Sequence, residues 1–326
     1  MELKFVAAEE NISEKRITVV GGANLDIKGY TKNYTPHSSS PGWIEESPGG
    51  VGRNISENIA FLNKEVILLS AISDDHFGRK ILEETASAGV DVSRIKKLSS
   101  EQHKSGIYLA HLDQNGDLIG AVNDMRILKE IDLNYIKENI ELIKNSSLLI
   151  IDTNLEADIV DFLLNLGLDN NICTLVEAVS VEKSMKIKDK LHKIDYIRAN
   201  IDEAEILLGL ISEENFSHSK RIKGLAEAYI KVSGLPDMII SAGSEGVYLF
   251  EREKYEVKIR HFNAEKIADE DIVETTGAGD SLTAVFAAAL LSDKSKAEAV
   301  MLGIKAASLT IQSKLTCNPE IRKLSI

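Results

Sequence analysis

Residues 275–280, Thr-Thr-Gly-Ala-Gly-Asp, place small and hydroxyl-bearing residues before a carboxylate, Asp280, and before an alanine-rich run typical of a helix. The unpaired N–H groups at a helix start bind anions, and glycine lets the backbone approach a ligand closely. The amides of Ala278, Gly279 and Asp280 therefore predict an anion site beside a base. This pairing suits phosphoryl transfer to a hydroxyl, which depends on positioning and charge neutralisation. An N-capping aspartate after a glycine turn is the structural alternative.

Two further segments near the N-terminus carry glycines and polar side chains. Gly49 and Gly50 precede a predicted helix with Asn54 in its first turn, and Asn24 and Asp26 follow a predicted strand. Polar groups at the carboxyl end of a strand are well placed to bind sugar hydroxyls, and one carboxylate can accept from two hydroxyls. Each segment taken alone also fits an ordinary glycine turn.

The elements that position these residues alternate between short β-branched runs and helical patterns. Strands are predicted at 16–22, 65–71, 147–152, 173–178, 195–200 and 237–243. Helices are predicted at 52–63, 77–88, 132–144, 157–166, 201–209, 220–233, 279–292 and 295–313. Apolar strands separated by helices indicate an α/β fold with a parallel sheet covered on both sides. Segments 28–48 and 104–125 break the alternation and predict a small β flap, with a hairpin turn at Asn115-Gly116.

Composition and missing motifs exclude several classes of protein. The 326 residues carry a net charge of −13, which disfavours binding to nucleic acid or to anionic membranes. The two cysteines, Cys173 and Cys317, lie far apart, and no signal peptide is evident, so we expect reduced thiols and a cytoplasmic protein. The sequence has no Walker P-loop, no G-x-G-x-x-G and no H-E-x-x-H motif, which argues against P-loop, Rossmann and zinc peptidase functions.

Four ordered motifs resemble one known family. The segments GGVGRNISENIAFL (49–62) and TTGAGDSLTA (275–284) resemble the two signatures of the ribokinase-like PfkB family of carbohydrate and nucleoside kinases. ANIDEAE (199–205) and SAGSEGVYLF (241–250) resemble the N-x-x-E element and the nucleotide loop of that family. The resemblance implies a three-layer αβα sandwich with a mostly parallel sheet and a small β-strand lid. It also implies a kinase domain at 16–326 with lid insertions at 28–48 and 104–125, after an N-terminal extension at 1–15.

Within this family, GANLDIKGY, the Asn-Asp-Met at 123–125 and LTCNPEI resemble the pseudouridine kinases. This resemblance implies ATP-dependent phosphorylation of the 5′-hydroxyl of pseudouridine, with Mg²⁺ and a monovalent cation such as K⁺ as the metal ions to consider. A homodimer that pairs through the lid is expected, because exposed strand edges favour pairing. The alternatives are a kinase of ribose, uridine, adenosine or another sugar or nucleoside, and a catalytically silent homologue that only binds a nucleoside.

The resemblance also assigns roles to individual residues. Asp280 is the expected base, and Gly277, Ala278 and Gly279 form the expected anion hole. The expected substrate-binding residues are Asn24, Asp26, Gly49, Gly50, Asn54, Lys104, Ser105 and Asn123. The expected ATP-binding residues are Asn200, Ser241, Gly243, Gly246 and Asn318, and Glu203 is expected to hold Mg²⁺ through water.

Two positions depart from the family pattern. Glu274 stands where the family usually has aspartate, in a segment that often lends carbonyl groups to a monovalent cation, which puts the requirement for that cation in doubt. Glu177-Ala178 stands where related kinases tend to have Asp-Pro, and the longer acid predicts a shift on the phosphate side of the site.

Overall fold

The computed structural model describes residues 15–211, 216–253 and 256–326, so the N-terminal extension at 1–15 lies outside the described residues except for residue 15. The strands are β1 (Ile17–Val20), β2 (Asn24–Thr31), β3 (Gly42–Gly49), β4 (Val66–Leu69), β5 (Ala71–Ser73), β6 (Lys96–Leu98), β7 (Gly106–Leu112), β8 (Leu118–Asp124), β9 (Leu148–Asp152), β10 (Cys173–Glu177), β11 (Tyr196–Asn200), β12 (Asp237–Ser241), β13 (Val247–Glu253) and β14 (Glu256–Phe262). The helices are α1 (Val51–Phe61), α2 (His76–Ser87), α3 (Leu133–Glu138), α4 (Ile140–Lys144), α5 (Ala157–Asn170), α6 (Val181–Ser184), α7 (Ile201–Leu207), α8 (His218–Lys231), α9 (Ala278–Leu291) and α10 (Lys296–Ile311).

The main sheet has eight strands in the order β14-β13-β12-β11-β10-β9-β1-β4. The six strands from β12 to β4 run parallel to one another. At the edge beyond β12, strand β13 pairs antiparallel with both β12 and β14. Both faces of the sheet are buried, since Ile55 of α1 and Phe286 of α9 belong to one hydrophobic core while Leu163 of α5 and Leu225 of α8 belong to the other. The predicted three-layer αβα sandwich is therefore confirmed.

The predicted strands and helices of this sandwich are all present, with small differences at their ends. The predicted helix 132–144 is divided into α3 and α4 at Asn139, whose side chain donates to the carbonyl of Tyr135. The β13-β14 hairpin goes beyond the sequence prediction, since the motif at 241–250 indicates only a nucleotide loop. In the part of the chain that the structure describes, no helix combines the length and apolarity needed to span a bilayer.

A second sheet of four strands, in the order β3-β2-β7-β8, forms the lid. The predicted hairpin is confirmed, since β7 and β8 pair antiparallel and the carboxylate of Asp113 accepts the amides of Asn115 and Asp117 in the turn. Strand β2 follows β1 after three residues, so the lid begins at the carboxyl edge of the main sheet. Helix starts and polar side chains meet at this edge.

Candidate active site

The predicted base lies in the first turn of α9. Gly277 caps this helix with φ of 84°, and a Cβ there would lie 2.4 Å from the carbonyl oxygen of Thr316, so the turn requires glycine. Asp280 is the third residue of the helix, and Asn54 Nδ2 donates to Asp280 Oδ2 at 2.8 Å. The contact joins α1 to α9, so the two glycine-containing motifs of the sequence meet at this carboxylate.

The surroundings of Asp280 make it a stronger base than an ordinary aspartate. The pKa of Asp280 is raised to about 7, mainly by burial and then by the charge of Glu177, while the hydrogen bond from Asn54 and the charge of Arg198 oppose the rise. A general base is most effective when its pKa lies near the working pH. A carboxylate with this pKa is suited to accept a proton from a hydroxyl near neutral pH.

Arg198 lies against the turn that is expected to form the anion hole. A Cβ on Gly279 would lie 2.5 Å from Nη2 of Arg198, so the guanidinium covers the first turn of α9. Nη1 donates to Glu177 Oε1 at 2.8 Å, and Nη2 donates to Ser241 Oγ at 3.1 Å. The sequence interpretation did not assign Arg198 to the site. The only signal was an arginine within a mostly apolar strand, two residues before Asn200.

Four of the residues expected to bind the substrate, Asn24, Asp26, Gly49 and Gly50, lie together. Asn24 Nδ2 donates to Asp26 Oδ1 at 2.6 Å, and both side chains are buried. A Cβ on Gly49 would lie 2.2 Å from Asp26 Oδ2. Gly50 has φ of 98°, and a Cβ there would lie 2.9 Å from Asn24 Oδ1. The two glycines therefore leave the space in which Asn24 and Asp26 sit.

Asp152, at the end of β9, organises this edge and was also missed by the sequence interpretation. Its Oδ2 accepts the amides of Gly22 at 2.7 Å and Gly52 at 3.0 Å, and Oδ1 accepts the amide of Asn154. The fully buried carboxylate thus ties the end of β1 to the start of α1. A carboxylate that ends an apolar strand was the available signal in the sequence.

Four of the five expected ATP-binding residues, Asn200, Ser241, Gly243 and Gly246, lie at or just after the ends of β11 and β12. Asn200 and Glu203 form a capping box at the start of α7, in which Glu203 Oε2 accepts the Asn200 amide and Glu203 Oε1 accepts from Asn200 Nδ2. Gly243 and Gly246 have positive φ in the turn before β13. Apart from Gly243 and its two chain neighbours, no described residue has an atom within 4 Å of a Cβ placed there, so a ligand can approach this turn.

The acids near this turn fit Mg²⁺ only through water. Both oxygens of Glu203 already accept hydrogen bonds, but a carboxylate has about four lone-pair positions, so each oxygen can accept a further donor such as a metal-bound water. Among the described residues, no group of three or more His, Cys, Asp or Glu side chains is arranged to hold a metal ion directly.

A surface cleft of about 540 Å³ adjoins the Gly246 turn. Phe262 and Asn263 line the cleft, and the same two residues lie within 3 Å of a Cβ placed on Gly246. Met301 and Ile304 of α10 form part of the other wall. The wall of the cleft at Phe262 and Asn263 therefore packs against Gly246 at the end of this turn.

Other expected site residues make local contacts. Lys104 is exposed and donates to the Ser100 carbonyl, while the buried Ser105 hydroxyl donates to Asp75 Oδ1 at 2.7 Å. Asn318 donates to the Leu309 carbonyl at 2.6 Å and caps the turn that follows it. These contacts hold the chain in place, and the binding roles assigned to the three residues stay predictions.

Asn123 is exposed on β8, and the strand register places it on a definite face of the lid. Asn123 pairs with Tyr108 of β7, and Tyr108 pairs with Asp26 of β2. Residues directly opposite each other in a sheet project to the same face. Asn123 and Tyr108 therefore share the face that carries Asp26.

The departure at Glu274 has a partner on the lid. Lys28 Nζ lies 2.5 Å from Glu274 Oε2, and the Thr276 hydroxyl donates to Glu274 Oε1. Burial alone would raise the pKa of Glu274, but the hydrogen bonds from Lys28 and Thr276 outweigh it and lower the pKa below its usual value. The ion pair ties lid strand β2 to the loop that leads into the expected anion hole.

Comparison with known proteins agrees with this arrangement. The profile of the pfkB family of carbohydrate kinases matches residues 14–323. The chain is 30% identical to the pseudouridine kinase of Escherichia coli (strain K12) over 311 residues, which is 94% of this chain and 93% of that protein. It is 27% identical to the guanosine-inosine kinase of Exiguobacterium acetylicum over 303 residues, which is 91% of this chain and 95% of that protein.

Solved structures show the same fold. A carbohydrate kinase from Agrobacterium tumefaciens has a TM-score of 0.75 at 26% identity, and the match covers 95% of this chain and 96% of that one. The ribokinase of Arabidopsis thaliana, complexed with ribose and ATP, has a TM-score of 0.79 at 21% identity, with 95% and 97% covered. The chain belongs to the PfkB family of carbohydrate kinases and is a phosphotransferase that acts on a hydroxyl group.

Proposed function

We propose that this enzyme transfers the γ-phosphoryl group of ATP to the 5′-hydroxyl of pseudouridine. The observation that carries the proposal is the contact of Asn54 with Asp280 in the first turn of α9, which joins the sugar-binding segment to a base with a pKa near 7. The similarity to the Escherichia coli pseudouridine kinase supports the choice of nucleoside.

The reaction follows from the positions of these groups. The 5′-hydroxyl oxygen forms a bond to the γ-phosphorus, and the bond from that phosphorus to the β,γ-bridging oxygen breaks. The hydroxyl proton passes to Asp280, and ADP leaves with the bridging oxygen. The amides of Ala278, Gly279 and Asp280 stabilise the charge on the phosphoryl oxygens, as backbone donors do at an anion hole.

ATP enters as its Mg²⁺ complex. Asn200 and Glu203 would hold Mg²⁺ through its water shell, since the Glu203 oxygens are already engaged in the capping box, and the metal would neutralise charge on the phosphates. Ser241 and Gly243 lie along the phosphates. The adenine occupies the cleft of about 540 Å³ beside Gly246, a volume within the range of small-molecule sites.

The lid selects the nucleoside. Asn24 and Asp26 bind the ribose hydroxyls, and Asn123, on the same face of the lid, contacts the base. Pseudouridine has a ring N–H that uridine lacks. A buried polar group left without a partner costs about 1–3 kcal/mol, which corresponds to a preference for pseudouridine of about tenfold to hundredfold.

Steady-state kinetics of an Asn123→Ala variant test this contact. We expect kcat/KM for pseudouridine to fall by about tenfold and kcat/KM for uridine to change less than about threefold, because only pseudouridine offers the extra donor. Asn115→Ala, at the exposed tip of the same hairpin, is the matched control. An unchanged ratio between the two nucleosides in Asn123→Ala would remove Asn123 from the specificity site.

A kinase of another nucleoside is the second candidate, and the similarity to guanosine-inosine kinase favours it. Comparing pseudouridine with guanosine, inosine, uridine, adenosine and ribose separates the two. The silent nucleoside-binding alternative predicts no ADP formation with any of these acceptors. The presence of Asp280, with its raised pKa and its contact to Asn54, is the reason to prefer an active enzyme.

We also propose that two copies pair through the outer face of the lid. Ile44, Leu109 and Val122 lie 74%, 46% and 65% exposed on neighbouring lid strands. The register places all three on the face opposite Asp26. Sedimentation of the parent and of Val122→Glu tests the pairing: a dimer that the substitution converts to a monomer supports it, and a monomeric parent refutes it.

A further inference from the structure

Arg198 carries donors that the protein itself does not use. Its Nη1 and Nη2 each donate one hydrogen bond, to Glu177 and to Ser241. Its Nε is buried and has no acceptor among the described residues. A buried N–H group without an acceptor is unfavourable, and such groups often mark the place of a missing ligand.

The guanidinium lies between the two halves of the reaction. Ser241 is on the nucleotide side, and Gly279 belongs to the turn that carries the base. A side chain that contacts both lies where the γ-phosphate must pass from ADP to the acceptor.

Neighbouring carboxylates keep Arg198 charged and fix its orientation. Burial by itself would lower the pKa of Arg198, but the charges of Glu177 and Glu203 outweigh it and raise that pKa. Glu177 is 1% exposed, and its second oxygen accepts from the Thr283 hydroxyl at 2.6 Å. Thr283 lies one turn after Asp280 on α9, so the chain Thr283–Glu177–Arg198 sets the guanidinium relative to the anion hole.

We propose that Arg198 binds the γ-phosphate of ATP and stays bound to the phosphoryl group during its transfer, with Glu177 as the residue that positions it. Arginine suits this role because its planar donors match phosphate oxygens. The free Nε–H and the remaining Nη hydrogens supply donors in the same plane. The proposal rests on ATP being the phosphoryl donor.

Nucleotide binding without an acceptor tests the proposal. Calorimetry with Mg²⁺ gives the dissociation constants of ADP and of the non-hydrolysable triphosphate adenylyl imidodiphosphate. In Arg198→Met we expect affinity for the triphosphate to fall about tenfold to hundredfold and affinity for ADP to change less than about threefold, because only the triphosphate has a γ-phosphate. In the same variant kcat should fall about 10²- to 10³-fold, with KM for the nucleoside unchanged.

Arg252→Met is the matched control. Arg252 also has a buried Nε without an acceptor among the described residues. It donates to the carbonyls of Tyr229 and Val232, at the end of the strands opposite to the one where the site lies. Selectivity for the triphosphate should be unchanged in this control. If Arg198→Met does not fold, Arg198→Lys decides, with an expected loss of selectivity of about threefold to tenfold.

Unchanged triphosphate selectivity in the Arg198 variants overturns the proposal and leaves Arg198 as a structural ion-pair partner of Glu177. The measurement needs no acceptor. A parent enzyme that binds the triphosphate through Arg198 but does not phosphorylate pseudouridine would therefore refute the proposed substrate and leave the role of Arg198 standing.

Discussion

Replacing Asp280 by asparagine separates the catalytic role of this residue from its effect on stability. Asparagine keeps the shape of the side chain, and its carbonyl oxygen can still accept from Asn54, but it cannot accept a proton. We expect kcat to fall about 10²- to 10⁴-fold, the usual contribution of a general base, and nucleotide affinity to change less than about threefold.

The same substitution should make the ligand-free protein more stable above neutral pH. Burial raises the pKa of Asp280 from 3.8 to about 7. Each pKa unit corresponds to about 1.4 kcal/mol, so ionised Asp280 opposes folding by at most about 4 kcal/mol. Asp280 is partly exposed, and we expect solvent screening to leave about 1–2 kcal/mol.

The direction of the pH dependence follows from the raised pKa. Well below pH 3.8 the carboxyl group is protonated in both the folded and the unfolded state, so the parent has no disadvantage there. As the pH rises toward 7 the unfolded state ionises first, and the parent loses stability relative to the variant. The gain in Asp280→Asn should therefore be larger at pH 8 than at pH 5.

Urea denaturation at pH 5 and pH 8 measures this gain, and initial rates of ADP formation measure kcat. Asp293→Asn is the control, because Asp293 is an exposed aspartate, 86% accessible in its ion pair with Lys15. A variant that turns over within tenfold of the parent, or that is no more stable than the parent at pH 8, would refute the account of Asp280.

Three further substitutions test other parts of the site. In Gly279→Val the new side chain must displace the Arg198 guanidinium, which lies 2.5 Å from the Cβ position. We therefore expect a protein that is folded by circular dichroism and whose kcat is reduced at least about 10²-fold. Near-parent activity would mean that this turn is only a helix cap. Asp152→Ala leaves the amides of Gly22 and Gly52 without their acceptor. Urea denaturation should show that the free energy of unfolding falls by at least about 2 kcal/mol. A fall below about 0.5 kcal/mol would contradict the organising role of Asp152. Lys28→Met breaks the ion pair between the lid and Glu274. Steady-state kinetics should then show that KM for the nucleoside rises about tenfold, while kcat stays within about threefold of the parent value. An unchanged KM would mean that the ion pair does not help to position the lid.

The sandwich was predictable because its signals are local. Apolar β-branched runs such as Leu148–Asp152 alternate with helical patterns, and their periods fix both the element type and the buried faces. The glycine turns at Gly50 and Gly277 were also evident, since each precedes a helix and each needs a positive φ.

The groups that the sequence did not reveal depend on contacts between distant segments. Arg198 acquires its position from Glu177 and Ser241 on neighbouring strands, so its meaning depends on the strand order. Asp152 accepts amides from Gly22 and Gly52, which are 130 and 100 residues away. The chain alone gives no local pattern for either set of contacts.

The central claim is tested most directly by measuring ADP formation from ATP with pseudouridine, uridine, guanosine, inosine, adenosine and ribose as acceptors, with the product identified by phosphorus NMR. The account predicts the highest kcat/KM for pseudouridine, by about tenfold to hundredfold over uridine, and a 5′-monophosphate as the product. Equal use of uridine and pseudouridine, or a higher kcat/KM for a purine nucleoside or for ribose, would contradict it.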